Sequence, residues 1–232
     1  MTTTDVRANI EQVRERIARA AERSGRRGED VLLIGVSKTM PADRVRAAIE
    51  GGIPALGENR VQEAKTKVAA LGHSVPWHLI GHLQTNKVKD ALLLFDVIHS
   101  VDRLPLAEEI ERRAAPANRV VDAMIEVNLG AEPAKSGVLP DALAAFVDQV
   151  RALSHLRVRG LMAIPPVGAP EETRPWFRSL QKLGEAHGFT ELSMGMSADY
   201  QIAIEEGATM VRVGTAIFGE RPARVNAGPG KA

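Results

Sequence analysis

The 232-residue chain contains no cysteine. That absence excludes a disulfide framework, a thiolate nucleophile and every zinc site built on sulfur ligands, and it fits a reducing compartment. Aromatic residues are only 3% of the sequence, too few for the stacking platforms that hold single-stranded nucleic acid. An excess of one charge sign is also lacking. Lys and Arg number 30 against 29 Asp and Glu, without the broad basic footprint of a nucleic-acid binder. Uninterrupted apolar runs such as Ala91 to Phe95 and Ala142 to Val147 are far too short to cross a bilayer. The opening segment MTTTDVRANIEQVRERIARA has no apolar centre of the signal-peptide kind, and its acidic residues count against a transit peptide. These absences predict a cytoplasmic protein that binds neither nucleic acid nor membrane.

What is present is a repeated alternation. Hydrophobic residues make up 44% of the chain and charged residues 25%, enough for one large core or two small ones. Short β-branched runs predict strands at Val31–Ser37, Pro54–Gly57, Trp77–Ile80, Asp96–His99, Ala123–Val127, Val158–Ala163, Glu191–Ser193 and Thr209–Val213. Between them, apolar residues recur at spacings of three and four, as at Leu143, Phe146, Val147 and Val150, the helical period. Eight such units without a mid-chain linker predict a closed (β/α)8 barrel of the α/β class rather than an open doubly wound sheet. An extra N-terminal helix carries Ile10, Val13, Ile17 and Ala20 on one stripe and is expected to cover an end or flank of the barrel. The expected division is one barrel over residues 1–221 and a flexible tail, PARVNAGPGKA, over 222–232.

A barrel of this kind carries its chemistry on the loops that follow the strands. Strand-end residues expected at that mouth are Lys38, Glu58, Asn59, His82, Ser100, Asn128, Met162, Ser193, Ser197, Arg212, Gly214 and Thr215. Lys38 ends the apolar run VLLIGVSK. An amine between apolar walls loses hydration, which disfavours its ammonium form and leaves more free amine to attack a carbonyl. This fits a cofactor-bound lysine and an aldolase lysine equally. SMGMSADY after the seventh strand and RVGTAIFGE after the eighth contribute Gly195, Ser197, Gly214 and Thr215. Glycine permits close backbone approach, and barrels often seat phosphate between these two loops. Ser197 could act there as a helix cap or as a hydroxyl donor. Arg212 should face the same side as Gly214. An interior arginine needs acceptors, which a pyridine nitrogen or a carboxylate such as Glu58 could supply.

The segments GVSKTMP, LGENRVQE, WHLIGHLQTNK, VNLGAEPAKSG, LMAIPP, SMGMSADYQIAIEEG and VRVGTAIFG resemble, as an ordered set, the YggS/PROSC family of pyridoxal phosphate homeostasis proteins. The resemblance runs from about Val31 to Gly219. It implies the alanine-racemase-like barrel of fold-type III pyridoxal 5′-phosphate (PLP) proteins, without that group's second domain. By motif, Lys38 is the lysine that forms a Schiff base with PLP, and Asn59 lines the pocket. Ser197, Gly214 and Thr215 match the phosphate-binding residues, and Arg212 matches the arginine beside the pyridine nitrogen. Thr85 stands where a serine is common. Relatives vary at His82. Met162, Met194 and Met196 are further candidates for the mouth, and Lys135 for a second aldehyde contact.

The family role implied is control of intracellular PLP, and indirectly of amino-acid and keto-acid balance, with little catalysis of its own. An arginine facing the ring nitrogen opposes its protonation and weakens the electron sink that catalysis needs. Racemases of this fold pair the lysine with a tyrosine base from a neighbouring subunit. This chain has one tyrosine, Tyr200, expected on the helix after the seventh strand. No catalytic or metal-binding residue is expected beyond the PLP contacts. PLP-dependent apoenzymes are the expected partners, and the chain is expected to be a monomer or weak homodimer. The rivals are a small PLP-dependent racemase or lyase, a cofactor-free aldolase, and a regulator that keeps the barrel only as scaffold.

Overall fold

The structure, a computed structural model, describes residues 3–220. Eight parallel strands close into one barrel in sequence order. They are β1 (Leu32–Val36), β2 (Ala55–Glu58), β3 (Trp77–Leu79), β4 (Val97–Val101), β5 (Val121–Glu126), β6 (Leu156–Met162), β7 (Glu191–Met196) and β8 (Met210–Val213). The last strand returns to the first, with Leu32 opposite Met210 and Ile34 opposite Arg212. The tail expected from Pro222 lies outside the described residues.

Nine α-helices occur among the described residues. After α1 (Thr3–Arg23) come α2 (Ala42–Glu50), α3 (Val61–Leu71), α4 (Val88–Leu94), α5 (Leu104–Ala114), α6 (Leu143–Arg151), α7 (Arg174–Ala186), α8 (Tyr200–Glu205) and α9 (Thr215–Phe218). The helix after β8 has only 4 residues, too short to cover the seam where β8 meets β1. The expected amphipathic opener does so instead. Val6, Ile10, Val13, Ile17 and Ala20 of α1 are all buried, and α1 packs on α2, α8 and α9. It covers the flank.

Side chains alternate across each strand, so each strand feeds two cores. The larger lies between strands and helices and includes Leu33, Leu56, Trp77, Leu79 and Ile98. The smaller fills the barrel with Ile34, Ala55, Met124, Met162 and Met210. Where the strands begin, Arg157 and Arg159 pair with Asp122 and Glu191, placing an ion network at that end. The opposite, C-terminal end is open.

Strand ends differ from the sequence reading where the ladder is irregular. β4 continues to Val101 and β7 to Met196, each beside a register shift. In β7 the shift coincides with Gly195, at φ 87°. A Cβ there would lie 2.5 Å from Cβ of Ala203 and 2.9 Å from Cα of Tyr200. Glycine thus lets α8 press against the strand, and a sequence that reads as a turn is a bulged strand.

Candidate functional site

At the C-terminal mouth lies a cavity of about 270 Å³. Its lining includes all six residues expected to contact a cofactor: Lys38, Asn59, Ser197, Arg212, Gly214 and Thr215. Lys38 follows β1, Asn59 follows β2, and Ser197 follows β7. Arg212 lies in β8, with Gly214 and Thr215 at the turn into α9. Apolar walls come from Val36, Met40, Ile80, Ile164 and Met196, residues whose type in the sequence does not distinguish them from core.

The backbone around Lys38 is clamped by α3. On this helix Glu63 and Lys67 stand one turn apart and form an ion pair of 2.9 Å. Lys67 Nζ donates to the Ser37 carbonyl, just before Lys38, at 2.5 Å. Glu63 accepts the N–H of Thr39, just after Lys38. Thr39 has φ 65°, a left-handed conformation unusual for a β-branched residue. The chain therefore turns sharply past the lysine, and α3 holds both neighbours.

Glu58 is a correction to the sequence reading. It was expected at the mouth, but it points outward from β2 with no exposure, accepting from Ser37 Oγ at 2.6 Å and Lys67 Nζ at 2.5 Å. Burial pushes its carboxyl above the usual range, against the pull of Lys67. Inward parity along β2 gives Ala55, Gly57 and Asn59, so Glu58 faces α3. It is not the acceptor for Arg212.

Arg212 is 3% exposed. It donates through Nη1 to Ser193 Oγ at 2.7 Å and through Nη2 to the Ala163 carbonyl at 3.0 Å. No ion pair to it occurs among the described residues. Burial brings its pKa down to about 10, against the opposing pull of Glu126 and Asp199, so it remains a cation at neutral pH. Ser193, expected at the mouth, lies inside the barrel with no exposure and forms the seat beneath the guanidinium.

Ser197 joins the last two turns by accepting the Gly214 N–H at 3.1 Å. It does not cap α8, whose preceding residue is Asp199. A Cβ on Gly214 would lie 3.3 Å from the Val36 carbonyl oxygen, so a side chain there would crowd β1.

Of the other candidates, Met196 lines the cavity. Met162 belongs to the barrel interior and Met194 to the outer core. Asn128 closes its own loop through Glu132, donating to its carbonyl at 2.9 Å and accepting its N–H at 3.1 Å. Ser100 is buried with no hydrogen-bond partner for its hydroxyl. His82 stands outside the cavity lining, its Nδ1 3.1 Å from Ser136 Oγ and 3.5 Å from Asp102. Lys135 pairs with Glu132 and donates to the Pro165 carbonyl at 3.2 Å, tying two loops together. The Tyr200 hydroxyl is buried; burial raises its pKa, against the pull of Arg16 of α1.

The cavity suits a small anion bearing a carbonyl. Lys38 supplies an amine, Ser197 and Thr215 supply hydroxyls, and Arg212 supplies a cation in the wall. Asn59 Oδ1 is buried without a hydrogen-bond partner, an acceptor a bound group could satisfy.

The model of the alanine racemase N-terminal domain matches residues 6–222. The pyridoxal phosphate homeostasis protein of Aquifex aeolicus is 46% identical over 220 residues, covering 91% of this chain and 96% of that protein. Its Escherichia coli K12 counterpart is 39% identical over 230 residues, with 94% and 97% covered. The structure of PipY from Synechococcus elongatus with PLP bound superposes at TM-score 0.77 with 41% identity, covering 86% of this chain and 100% of that one. An alanine racemase from Clostridium difficile shares the fold at TM-score 0.72 and 15% identity, covering 95% of this chain and 57% of that one. The chain belongs to the alanine racemase N-terminal domain family and, within it, to the pyridoxal phosphate homeostasis proteins.

Proposed function

We propose that this chain holds pyridoxal 5′-phosphate covalently through Lys38 and takes part in intracellular PLP homeostasis in the cytoplasm. The observation that carries the reading is the convergence of Lys38, Asn59, Ser197, Arg212, Gly214 and Thr215 on one cavity. Bound there, PLP supplies an aldehyde that condenses reversibly with an amine. Lys38 would hold that aldehyde through its amine, with loss of one water. The apolar walls would keep water from the linkage, and Ser197, Gly214 and Thr215 of the two final turns would hold the phosphate. Arg212, a cation in the cavity wall, would disfavour protonation of the ring nitrogen.

Carriage suits this site better than turnover. A weakly protonated ring is a poor electron sink. The one tyrosine buries its hydroxyl beside Arg16 rather than lining the cavity. A reversible linkage at an open mouth limits side reactions of the aldehyde and can release it to PLP-dependent apoenzymes.

The test is the visible spectrum of the full chain with PLP, before and after borohydride reduction. The expected result is a yellow protein whose Lys38 peptide gains the mass of the reduced cofactor, and a colourless Lys38→Ala variant. Transfer to an added apoenzyme, read by the recovery of that enzyme's activity, is the expected second result. A colourless wild-type protein, or reduction onto another lysine, overturns the reading.

A further inference from the structure

The barrel interior contains a line of polar side chains that cofactor binding does not by itself require. His78 and His99 are 4% and 0% exposed, and they are accompanied by the fully buried Ser193. His78 Nδ1 lies 2.8 Å from His99 Nε2, and His99 Nδ1 lies 3.0 Å from Ser193 Oγ. Ser193 Oγ in turn receives Arg212 Nη1 at 2.7 Å. Four strands, β3, β4, β7 and β8, contribute one member each.

Donor chemistry fixes the direction of this line. A guanidinium only donates. Ser193 Oγ therefore accepts from Arg212, and among the described residues His99 Nδ1 is the acceptor within reach of its own hydrogen. That nitrogen is then an acceptor, so the His99 proton sits on Nε2 and is donated to His78 Nδ1. His78 must likewise carry its proton on Nε2. A cationic His99 would aim a second N–H at Ser193 and leave the serine hydrogen without an acceptor in a buried place, which is unfavourable. The surrounding charge agrees. His99 faces His78, Arg212 and Arg159, and burial with these neighbours holds its pKa well below the usual 6.5. His78 is brought to about 4, chiefly by burial, with Asp96 opposing and Arg159 adding.

We propose that Arg212, Ser193, His99 and His78 form one directional hydrogen-bond chain in which Ser193 and two neutral Nε2–H imidazoles are positioning residues. They hold the Arg212 guanidinium in a single pose as an unneutralised cation at the wall of the mouth. A carboxylate in place of Ser193 would hold the arginine equally well but would cancel its charge. A hydroxyl backed by neutral imidazoles supplies an acceptor and leaves the charge intact. The chain belongs to the folded protein. Only its effect on a bound ring rests on the reading that the mouth holds PLP.

Two measurements on the full-length protein separate these levels. In the ¹⁵N-labelled chain without added cofactor, long-range ¹H–¹⁵N correlation reads the tautomer of each imidazole. The expected result at neutral pH is Nε2–H for both His78 and His99, a mixed or inverted tautomer at His99 in Ser193→Ala, and recovery in Ser193→Thr, which keeps the hydroxyl. In the PLP-loaded protein, Ser193→Ala is expected to shift the visible band and to speed loss of cofactor about 3- to 10-fold, the worth of one hydrogen bond, with Ser193→Thr returning both toward wild type. A cationic or Nδ1–H His99 in the wild type overturns the chain. So does a Ser193→Ala protein with wild-type imidazole shifts. A wild-type protein that forms no visible band refutes the cofactor reading and leaves the tautomer result to decide the chain alone. Normal tautomers with an unchanged band and release rate in Ser193→Ala overturn the positioning role.

Discussion

Lys67 Nζ lies 2.5 Å from Glu58 Oε1 and 2.5 Å from the carbonyl oxygen of Ser37. One ammonium thus neutralises a buried carboxylate and fixes the residue before Lys38. With Lys67 5% exposed and Glu58 fully buried, removing one partner strands the other. Lys67→Met is expected to destabilise the fold by about 3–5 kcal/mol, because the Glu58 charge is left without compensation. Adding Glu58→Gln to that variant removes the stranded charge and recovers much of the loss. Urea unfolding of the two single variants and the double variant gives the coupling. A Lys67→Met protein as stable as wild type contradicts the clamp.

Thr39 is held at φ 65° by the Glu63 carboxylate. Left-handed geometry in a residue other than glycine costs about 1–3 kcal/mol, and glycine would relieve it at an entropic cost of about 0.5–1 kcal/mol. Thr39→Gly is therefore expected to raise unfolding stability by about 1 kcal/mol. The same change frees the backbone beyond Lys38, so cofactor loss should quicken although the fold is firmer. Thermal unfolding and dialysis of the loaded protein report the two effects separately. A loss of stability in Thr39→Gly would show that the conformation carries no strain.

The legible part of this protein is its repeat. Eight β-branched runs mark the strands because a barrel strand is apolar on both faces, and Lys38, Gly214 and Thr215 stand out because they end such runs. Residues that depend on register are not legible in this way. His78 and His99 are 21 positions apart and meet only because β3 and β4 are neighbours facing one interior. Glu63 and Lys67 read as an ordinary surface pair at helical spacing, since nothing in α3 shows that it tilts them toward Ser37. The side on which Glu58 lies was available from strand parity, counting from Ala55. The extensions of β4 and β7 were not, because a bulge has no fixed sequence. Apolar walls such as Ile80 and Ile164 have the same composition as core.

Stability should depend on pH through two opposed sets of groups. His78 is held at about 4 against an ordinary 6.5, and His99 is also depressed. Unfolding lets both take up protons, so their contribution is intact above pH 6.5 and is lost as pH falls toward 4. For His78 alone the shift corresponds to about 3 kcal/mol. Glu126 runs the other way. Burial first, then the Asp102 charge, raise it to about 7 from 4.5, against the pull of Arg212. Its contribution is present below pH 4.5 and is lost as pH rises through 7. Glu126→Gln removes this second trend. The variant should exceed wild type in stability above pH 7 by roughly 1–3 kcal/mol and fall more steeply on acidification. Urea unfolding across this range decides it, and parallel curves for the two proteins would sink the assignment.

Gly81 offers a way to disturb the mouth without touching any residue of its lining. A Cβ on Gly81 would lie 2.4 Å from the carbonyl oxygen of Asn59 and 2.8 Å from its Cα. Both are backbone atoms, so the end of β2 must shift, and Asn59 moves with it. Gly81→Ala is expected to cost about 1–3 kcal/mol of stability and to weaken retention of PLP, because the cavity wall at Asn59 is displaced. Gly28→Ala serves as the comparison. Its Cβ would lie 3.0 Å from Cα of Ala18 on the flanking helix, away from the mouth, so it should lower stability and leave retention unchanged. Equilibrium dialysis of the two variants, read beside their unfolding curves, separates a local effect on the wall from general loosening. Equal retention in both would mean that the Asn59 backbone does not shape the site.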